Sequence, residues 1–311
     1  MLLPSELTLV PDTTTVAVGV VFGVLGVLTG RVCGRLVPLF GPGRPTPAHP
    51  EPAAPRSAMA GDGPRPERSE SPLPEDEGPP PPRCPHCLTD LPFPAFLPAL
   101  AGPGSWWSGA CPSCRATVPT HPAVPAVTGI LFALAAGAAV QQQWALPDLP
   151  PVLWLVAFGV PLSVVDLRVL RLPDPVVGTA YPVAAVLLAA AVLWPAGTGV
   201  QPSGDELQRG AEALVSMVLI TVLYWLLWRV QPSGLGFGDV KLAGITGLYT
   251  GWAAGAVGAL AAAFWAFAAF SVVGMALLAL RRLTRRQPFP LGPFMLGSTF
   301  LTVLVGAPLL P

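Results

Sequence analysis

Charge is what this sequence has least of. Only 11% of its 311 residues are Asp, Glu, Lys or Arg, less than half of the roughly 25% usual in a soluble domain. The 17 basic and 17 acidic side chains cancel, so no net field draws the chain to nucleic acid. Histidine is nearly absent. His49, His86 and His121 lie away from any serine that could be placed beside them, which leaves a Ser-His-Asp nucleophile without support. There are five cysteines, four of them in two CxxC pairs, a pattern that fits a metal site in a reducing compartment better than a disulfide framework. No basic segment precedes the first apolar run and no small-residue cleavage site follows it. That run is expected to remain as a span, not to be removed as a signal peptide. No internal repeat is evident.

What is abundant is apolar length. Hydrophobic residues make up 52% of the chain and fall in long blocks, the mark of a multi-span membrane protein. The expected fold is all-α, a polytopic transmembrane helical bundle of about eight spans. The spans are placed at about 14–28, 123–143, 151–165, 175–195, 211–229, 242–259, 263–280 and 291–310. Residues 1–30 hold the first span. Residues 31–83 form a Pro-rich insertion, disordered in its low-complexity part at 41–83. Residues 84–122 form a four-cysteine segment, and 123–311 a membrane domain. With the N-terminus outside, every one of the 17 basic residues except Arg209 falls in a cytoplasmic segment, as positive-inside bias requires. The insertion and the cysteines are then cytoplasmic.

One stretch breaks the apolar C-terminal half: Gly234-Leu235-Gly236-Phe237-Gly238-Asp239-Val240-Lys241-Leu242. A carboxylate at the mouth of a span is costly and is a functional candidate by default. The glycines permit φ > 0 and the close approach of another chain, so Gly236 and Gly238 are expected to admit substrate backbone. Asp239 is placed in a loop between spans five and six. Asp166 closes an apolar run at the same membrane face, in Val165-Asp166-Leu167-Arg168-Val169-Leu170-Arg171-Leu172-Pro173-Asp174. Two facing carboxylates cannot both ionise and would share a proton. One would then act as base on a water while the other polarises a carbonyl, which is peptide hydrolysis without a covalent intermediate. The bland alternative is that each acid caps a helix or pairs with an Arg. Asp174, after Pro173, fits a helix start. Lys241 could hold the Asp239 carboxylate charged, contact substrate, or serve only as a positive-inside anchor. Arg281 to Arg286 could touch anionic lipid, and Trp106-Trp107 could lie at the bilayer surface.

Cys84-Pro85-His86-Cys87 and Cys111-Pro112-Ser113-Cys114 are separated by 23 residues. Two CxxC pairs supply four thiolates for one tetrahedral structural zinc, with Cys84, Cys87, Cys111 and Cys114 as ligands and His86 left at the surface. A dithiol redox site and unligated thiols are the alternatives. Cys33 is read as packing.

The sequence from about 84 to 311 resembles the type IV prepilin peptidases, membrane aspartic proteases of the GxGD type. Three features carry the resemblance. The first is Asp166 with Leu172-Pro173-Asp174. The second is Gly236-Phe237-Gly238-Asp239-Val240-Lys241-Leu242, and the third is Pro288-Phe289-Pro290-Leu291-Gly292-Pro293-Phe294. The resemblance implies that Asp166 and Asp239 are the catalytic pair. It also implies that the partners are prepilin or pseudopilin precursors and membrane lipid, and that the precursors lose a short basic leader on the cytoplasmic side of a bacterial plasma membrane, typically after a glycine. Many members carry the paired cysteines. In bifunctional members an N-terminal region also methylates the new N-terminus with S-adenosylmethionine. Here that region departs from the family: its Gly-Ser-Phe-Leu-Asn stretch reads Gly26-Val27-Leu28-Thr29-Gly30, and the glutamate that opens span two reads Pro125. A transporter or assembly scaffold that uses the aspartates as cation sites is the competing, non-catalytic reading.

Overall fold

The computed structural model describes residues 12–40, 82–91, 109–170, 172–197, 204–231, 234–282 and 289–308. The low-complexity stretch up to residue 81, Trp106-Trp107, Arg171, Arg285 and Arg286 lie outside them. The architecture is all-helical: α1 (Thr13–Cys33), α2 (Leu36–Leu39), α3 (Ala123–Gln141), a 3-10 turn (Leu146–Asp148), α4 (Leu149–Val169), α5 (Asp174–Gly197), α6 (Gly204–Val230), α7 (Phe237–Ala279) and α8 (Gly292–Val305). The Asp12 carboxylate starts α1 by accepting the Thr15 N–H at 2.8 Å. Among the described residues six helices, α1 and α3 to α7, are long and apolar enough to cross a membrane. The chain is a multi-pass membrane protein.

The 43-residue α7 is two arms folded against each other. Gly255 breaks it with φ 67° and ψ −175°, a conformation essentially reserved for glycine. Gly247, before the break, lies against Ile220, while Phe267, after it, stacks on Tyr224 with ring centroids 5.2 Å apart. Ile220 and Tyr224 are one helical turn apart, whereas a straight helix would part residues 247 and 267 by about 30 Å. The second arm therefore runs back along the first. Counted as two, the arms make seven long apolar rods among the described residues, beside the shorter α8. The division falls at Gly255, earlier than the 260–262 boundary expected from hydropathy, which cannot register a one-residue turn flanked by alanines.

Small residues let the backbones close up, the usual means of helix association in lipid. On α7, Gly247, Gly251 and Gly255 recur every fourth residue and face Ile220, Ser216 and Glu212, which recur at the same interval on α6. On α1, Gly26 lies against Thr128 and Phe132, and Gly30 against Pro125 of α3. Buried aromatic hydroxyls find backbone partners on other helices: Tyr249 donates to the Pro151 carbonyl at 2.9 Å. The Tyr181 hydroxyl donates to the carbonyl of Lys241, tying α5 to the first arm of α7.

Gly255→Ala is expected to destabilise the protein by about 1–3 kcal/mol, because the ε conformation is strained for any L side chain. A Cβ there would also meet the Glu212 carboxylate. Gly274→Ala, within the second arm, meets only Phe289 at 3.9 Å and serves as the matched control. Thermal unfolding in detergent should show a lowered midpoint for the first variant alone.

Candidate active site

Asp166 and Asp239 sit at the same end of the bundle, each inside a helix. Asp166 lies in the last turn of α4, which continues to Val169 and ends on Leu170 in a left-handed conformation (φ 55°). It is 4% exposed. Asp239 is the third residue of α7, so it does not lie in a loop as expected. The helix starts earlier than hydropathy suggests, because Gly236 caps it and Asp239 reaches back to the cap. The Gly236 N–H donates to Asp239 Oδ2 at 3.2 Å. Asp166 is held in a parallel way: the N–H of Gly292, first residue of α8, donates to Asp166 Oδ2 at 3.1 Å. Each carboxylate thus faces the positive end of a helix that starts beside it.

The glycines near Asp239 do not use the positive φ that glycine permits. Gly236 has φ −71°, and neither it nor Gly238 has positive φ. A Cβ on Gly238 would stand 3.0 Å from that of Leu172, the buried residue between α4 and α5. Its bareness lets the first turn of α7 close on the connector that follows Asp166, so it brings the two acids' elements together. A Cβ on Gly236 would have the Asp239 carboxylate 3.3 Å away. Lys241 does not pair with Asp239. Its Nζ lies 2.7 Å from Asp174 Oδ2 at the start of α5, and both side chains are partly exposed. Asp174 is a helix-start acid, as read from the sequence.

Gly292 is the residue that sequence reasoning quoted without a role. A Cβ at this position would stand 2.7 Å from Asp166 Oδ2, so only glycine leaves room for the carboxylate against the α8 N-terminus. The signal was present in the Gly-Pro pair opening an apolar run, which marks a helix start but not what approaches it. Gly292→Ala should displace the carboxylate and lower hydrolysis by about a hundredfold. Gly178→Ala, whose Cβ meets nothing within 4 Å, should leave it unchanged. Initial rates of precursor cleavage read the difference.

The four cysteines come together as expected. Their sulfurs all lie within 4.8 Å of one another. Cys84–Cys114 and Cys87–Cys111 are each 3.8 Å apart. That is the edge of a tetrahedron with Zn–S bonds of about 2.3 Å, so the donor set fits zinc. The two pairs are built alike. Isolated bridges Arg83–Asp90 and Ala110–Thr117 close each loop, and Leu88 and Arg115 take positive φ just after the second cysteine. Burial pushes the Cys84 thiol up to about 11, and Thr89 holds Cys87 down at about 6. A bound cation would supply the charge that keeps buried Cys84 as thiolate. His86 is exposed, with its Nε2 3.2 Å from the Thr117 carbonyl.

This module is joined to the bundle by backbone. The Arg83 N–H donates to the Leu39 carbonyl at 3.0 Å, and the His121 N–H to that of Gly34 at 3.2 Å. The Thr120 hydroxyl donates to the Arg31 carbonyl at 2.9 Å. Val37 of α2 is buried in one cluster with Val124, Phe132, Val156 and Val165, the last being the neighbour of Asp166. Burial, then the charge of Arg168, pushes His121 below the usual imidazole range.

Known proteins place this geometry in context. Residues 152–278, which hold both aspartates, match the model of the type IV leader peptidase family. The chain is 26% identical over 227 residues to a prepilin leader peptidase/N-methyltransferase of Aeromonas salmonicida, covering 72% of this chain and 70% of that protein. It is 27% identical over 228 residues to the protein of that name from Aeromonas hydrophila, covering 72% and 71%. With the one from Pectobacterium carotovorum it shares 29% over 184 residues, covering 56% and 58%. No solved structure matches the chain.

Proposed function

We propose, from the match of residues 152–278 to the type IV leader peptidase family and the similarity to prepilin leader peptidases, that this chain removes the leader of prepilin-like precursors by water attack between Asp166 and Asp239. The protein is a membrane peptidase. The observation that carries the mechanism is the matched pair of N–H bonds at one end of the bundle, Gly236 to Asp239 and Gly292 to Asp166. They orient two carboxylates from different helices, and among the described residues neither carboxylate forms an ion pair. One carboxylate, ionised, takes a proton from water. The other, protonated, donates to the scissile carbonyl oxygen, and the tetrahedral intermediate collapses as its nitrogen takes a proton from the pair. No covalent enzyme intermediate forms. Gly236, exposed at the mouth of the site, stands where substrate backbone would pass, and Lys241 with Asp174 borders it.

The acidic pair is assigned to the cytoplasmic face. Arg31, Arg35, Arg168, Arg229, Lys241, Arg281 and Arg282 cluster at the helix termini on its side, which supports that orientation. Arg209, the exception, belongs to the other end. There it lies 3.7 Å from buried Asp148 and 4.6 Å from the Trp252 ring centre, a tertiary role that outweighs charge bias. Four-cysteine zinc completes the assignment as a structural ion that closes the module and takes no part in hydrolysis.

Methyl transfer is a second reading. What favours it is the double name of the relatives, together with alignments of 227 and 228 residues that run well beyond the peptidase match. Gly26 and Gly30, which stand where the family's N-terminal motif would be, are spent on contact with α3. The test of function is cleavage of a precursor by the purified protein. Mass spectrometry of the product with S-adenosylmethionine present reads both activities at once. A transporter or scaffold would leave the precursor whole.

A further inference from the structure

Asp166 comes at the end of a long run of α4, but Asp239 is the third residue of α7. Helix ends fray, so a carboxylate there is placed only as well as its first turns are held. Three contacts tie those turns to the chain that follows Asp166. Leu172 occupies the space beside bare Gly238. Asp174 takes the Lys241 ammonium at 2.7 Å. The Tyr181 hydroxyl donates to the Lys241 carbonyl. The first contact is apolar and lets surfaces slide. The second is partly exposed, where solvent weakens an ion pair. The third is directional, and its ring packs against the core of the bundle.

Gly244 makes room for that hydroxyl. A Cβ there would collide with it, and would stand 2.9 Å from Thr221 Oγ1 of α6. Glycine thus lets α5 come this close to α7, about one and a half turns beyond Asp239. A carbonyl oxygen has two lone pairs. One serves the helix's own ladder and the other takes Tyr181, so the bond is added without opening α7. The preceding residue of α5 is tied to the helix that carries Asp166: the Trp154 indole N–H donates to the Ala180 carbonyl at 3.4 Å. The helices of both acids are therefore joined to α5 at adjacent residues. We propose that Tyr181 is a positioning residue for the acid pair. Its hydroxyl fixes the depth and rotation of the first turns of α7, and with them the place of Asp239 relative to Asp166. It acts through the α7 backbone and takes no part in proton transfer. The inference rests on the proposed peptidase reading and adds to it a residue outside the motifs that carry the resemblance.

Tyr181→Phe removes the hydroxyl and keeps the ring. Tyr249→Phe is the matched control. It removes the bond from Tyr249 to the Pro151 carbonyl, on the same arm of α7 but about 15 Å along the helix from Asp239. Each variant loses one neutral hydrogen bond, and the two should lower the unfolding midpoint alike. Only Tyr181→Phe should lower kcat for a precursor, about tenfold, with KM within about twofold of the wild type. Its pH–rate profile should also narrow, because carboxylates drawn apart share their proton over a smaller range of pH. The charged residues on the helices around the pair, Arg168, Asp174, Arg229 and Lys241, are the same in both variants. A wild-type kcat, an unchanged pH–rate profile, or an equal fall in kcat in Tyr249→Phe overturns the inference. Hydrogen exchange across residues 239–245 reads the positioning without catalysis. Tyr181→Phe should speed it about tenfold, and Tyr249→Phe should not. If the wild-type protein cleaves no precursor, the peptidase reading fails. Exchange that Tyr181→Phe leaves unchanged overturns the positioning role, whatever the cleavage result.

Discussion

Asn in place of either Asp166 or Asp239 should abolish leader cleavage and leave the bundle intact. In the proposed mechanism each carboxylate is asked for a proton transfer in the transition state, a contribution of about 10²–10⁴ in rate. In a shared-proton pair the losses do not add, because one acid without the other has neither a base nor a polarising proton. The double variant should therefore be about as inactive as each single one. Structure is spared for a specific reason. The amide keeps the carboxylate's size, and its oxygen can still accept the Gly292 N–H in place of Asp166 or the Gly236 N–H in place of Asp239. The measurement is precursor cleavage by purified protein in detergent, with helical circular dichroism and thermal unfolding in parallel. Cleavage retained by either single variant, at a tenth of the wild-type rate or more, removes the aspartates from the chemistry and turns attention to the cation-site reading.

Removing zinc should have the largest effect on structure, and that effect should be local. Purified protein is expected to carry about one zinc ion, and Cys84→Ser or a strong chelator should release it. Cys84 is fully buried, and the described part of its module has no apolar core of its own beyond the sulfurs and the backbone bonds that close each loop. Small metal modules of this kind owe about 10–16 kcal/mol of apparent folding free energy to the ion. Without it, residues 82–91 and 109–121 should become sensitive to protease, while the six spanning helices keep their circular dichroism. Peptidase activity should fall less than in the aspartate variants. One link from the module to the site runs through α2, whose Val37 packs in the cluster that contains Val165. Wild-type protein that is free of metal, with a protease-resistant module, would refute the zinc assignment.

Much of the site was legible in the chain. Acids at the ends of apolar runs stand out because charge is so rare here, and two paired cysteine motifs leave little else for four thiols to do. What was misread has a common cause. Hydropathy sees a helix only where it is apolar, so it started α7 at Leu242 and left Asp239 in a loop, whereas Gly236 and Asp239 cap each other and begin the helix at Phe237. A glycine in sequence does not say which freedom it uses. Positive φ was expected beside Asp239 and occurs at Gly255, while Gly238 is used for its missing Cβ, against Leu172. Holding Asp239 charged was one of the roles open to Lys241, two residues away, yet a helix turns those two side chains apart, and Asp174 receives it.

By itself the sequence determined that the chain crosses the membrane many times, that two aspartates are available at one face, and that four cysteines can hold an ion. These follow from composition and local spacing, which no packing can change. Tertiary structure alone decided that α7 doubles back at Gly255, that Gly292 holds Asp166, and that Tyr181 ties α5 to α7. Each of these depends on the approach of residues far apart in the chain, the Asp166–Gly292 contact among them, and a distance across a bundle is set by the shapes of all the helices that share it.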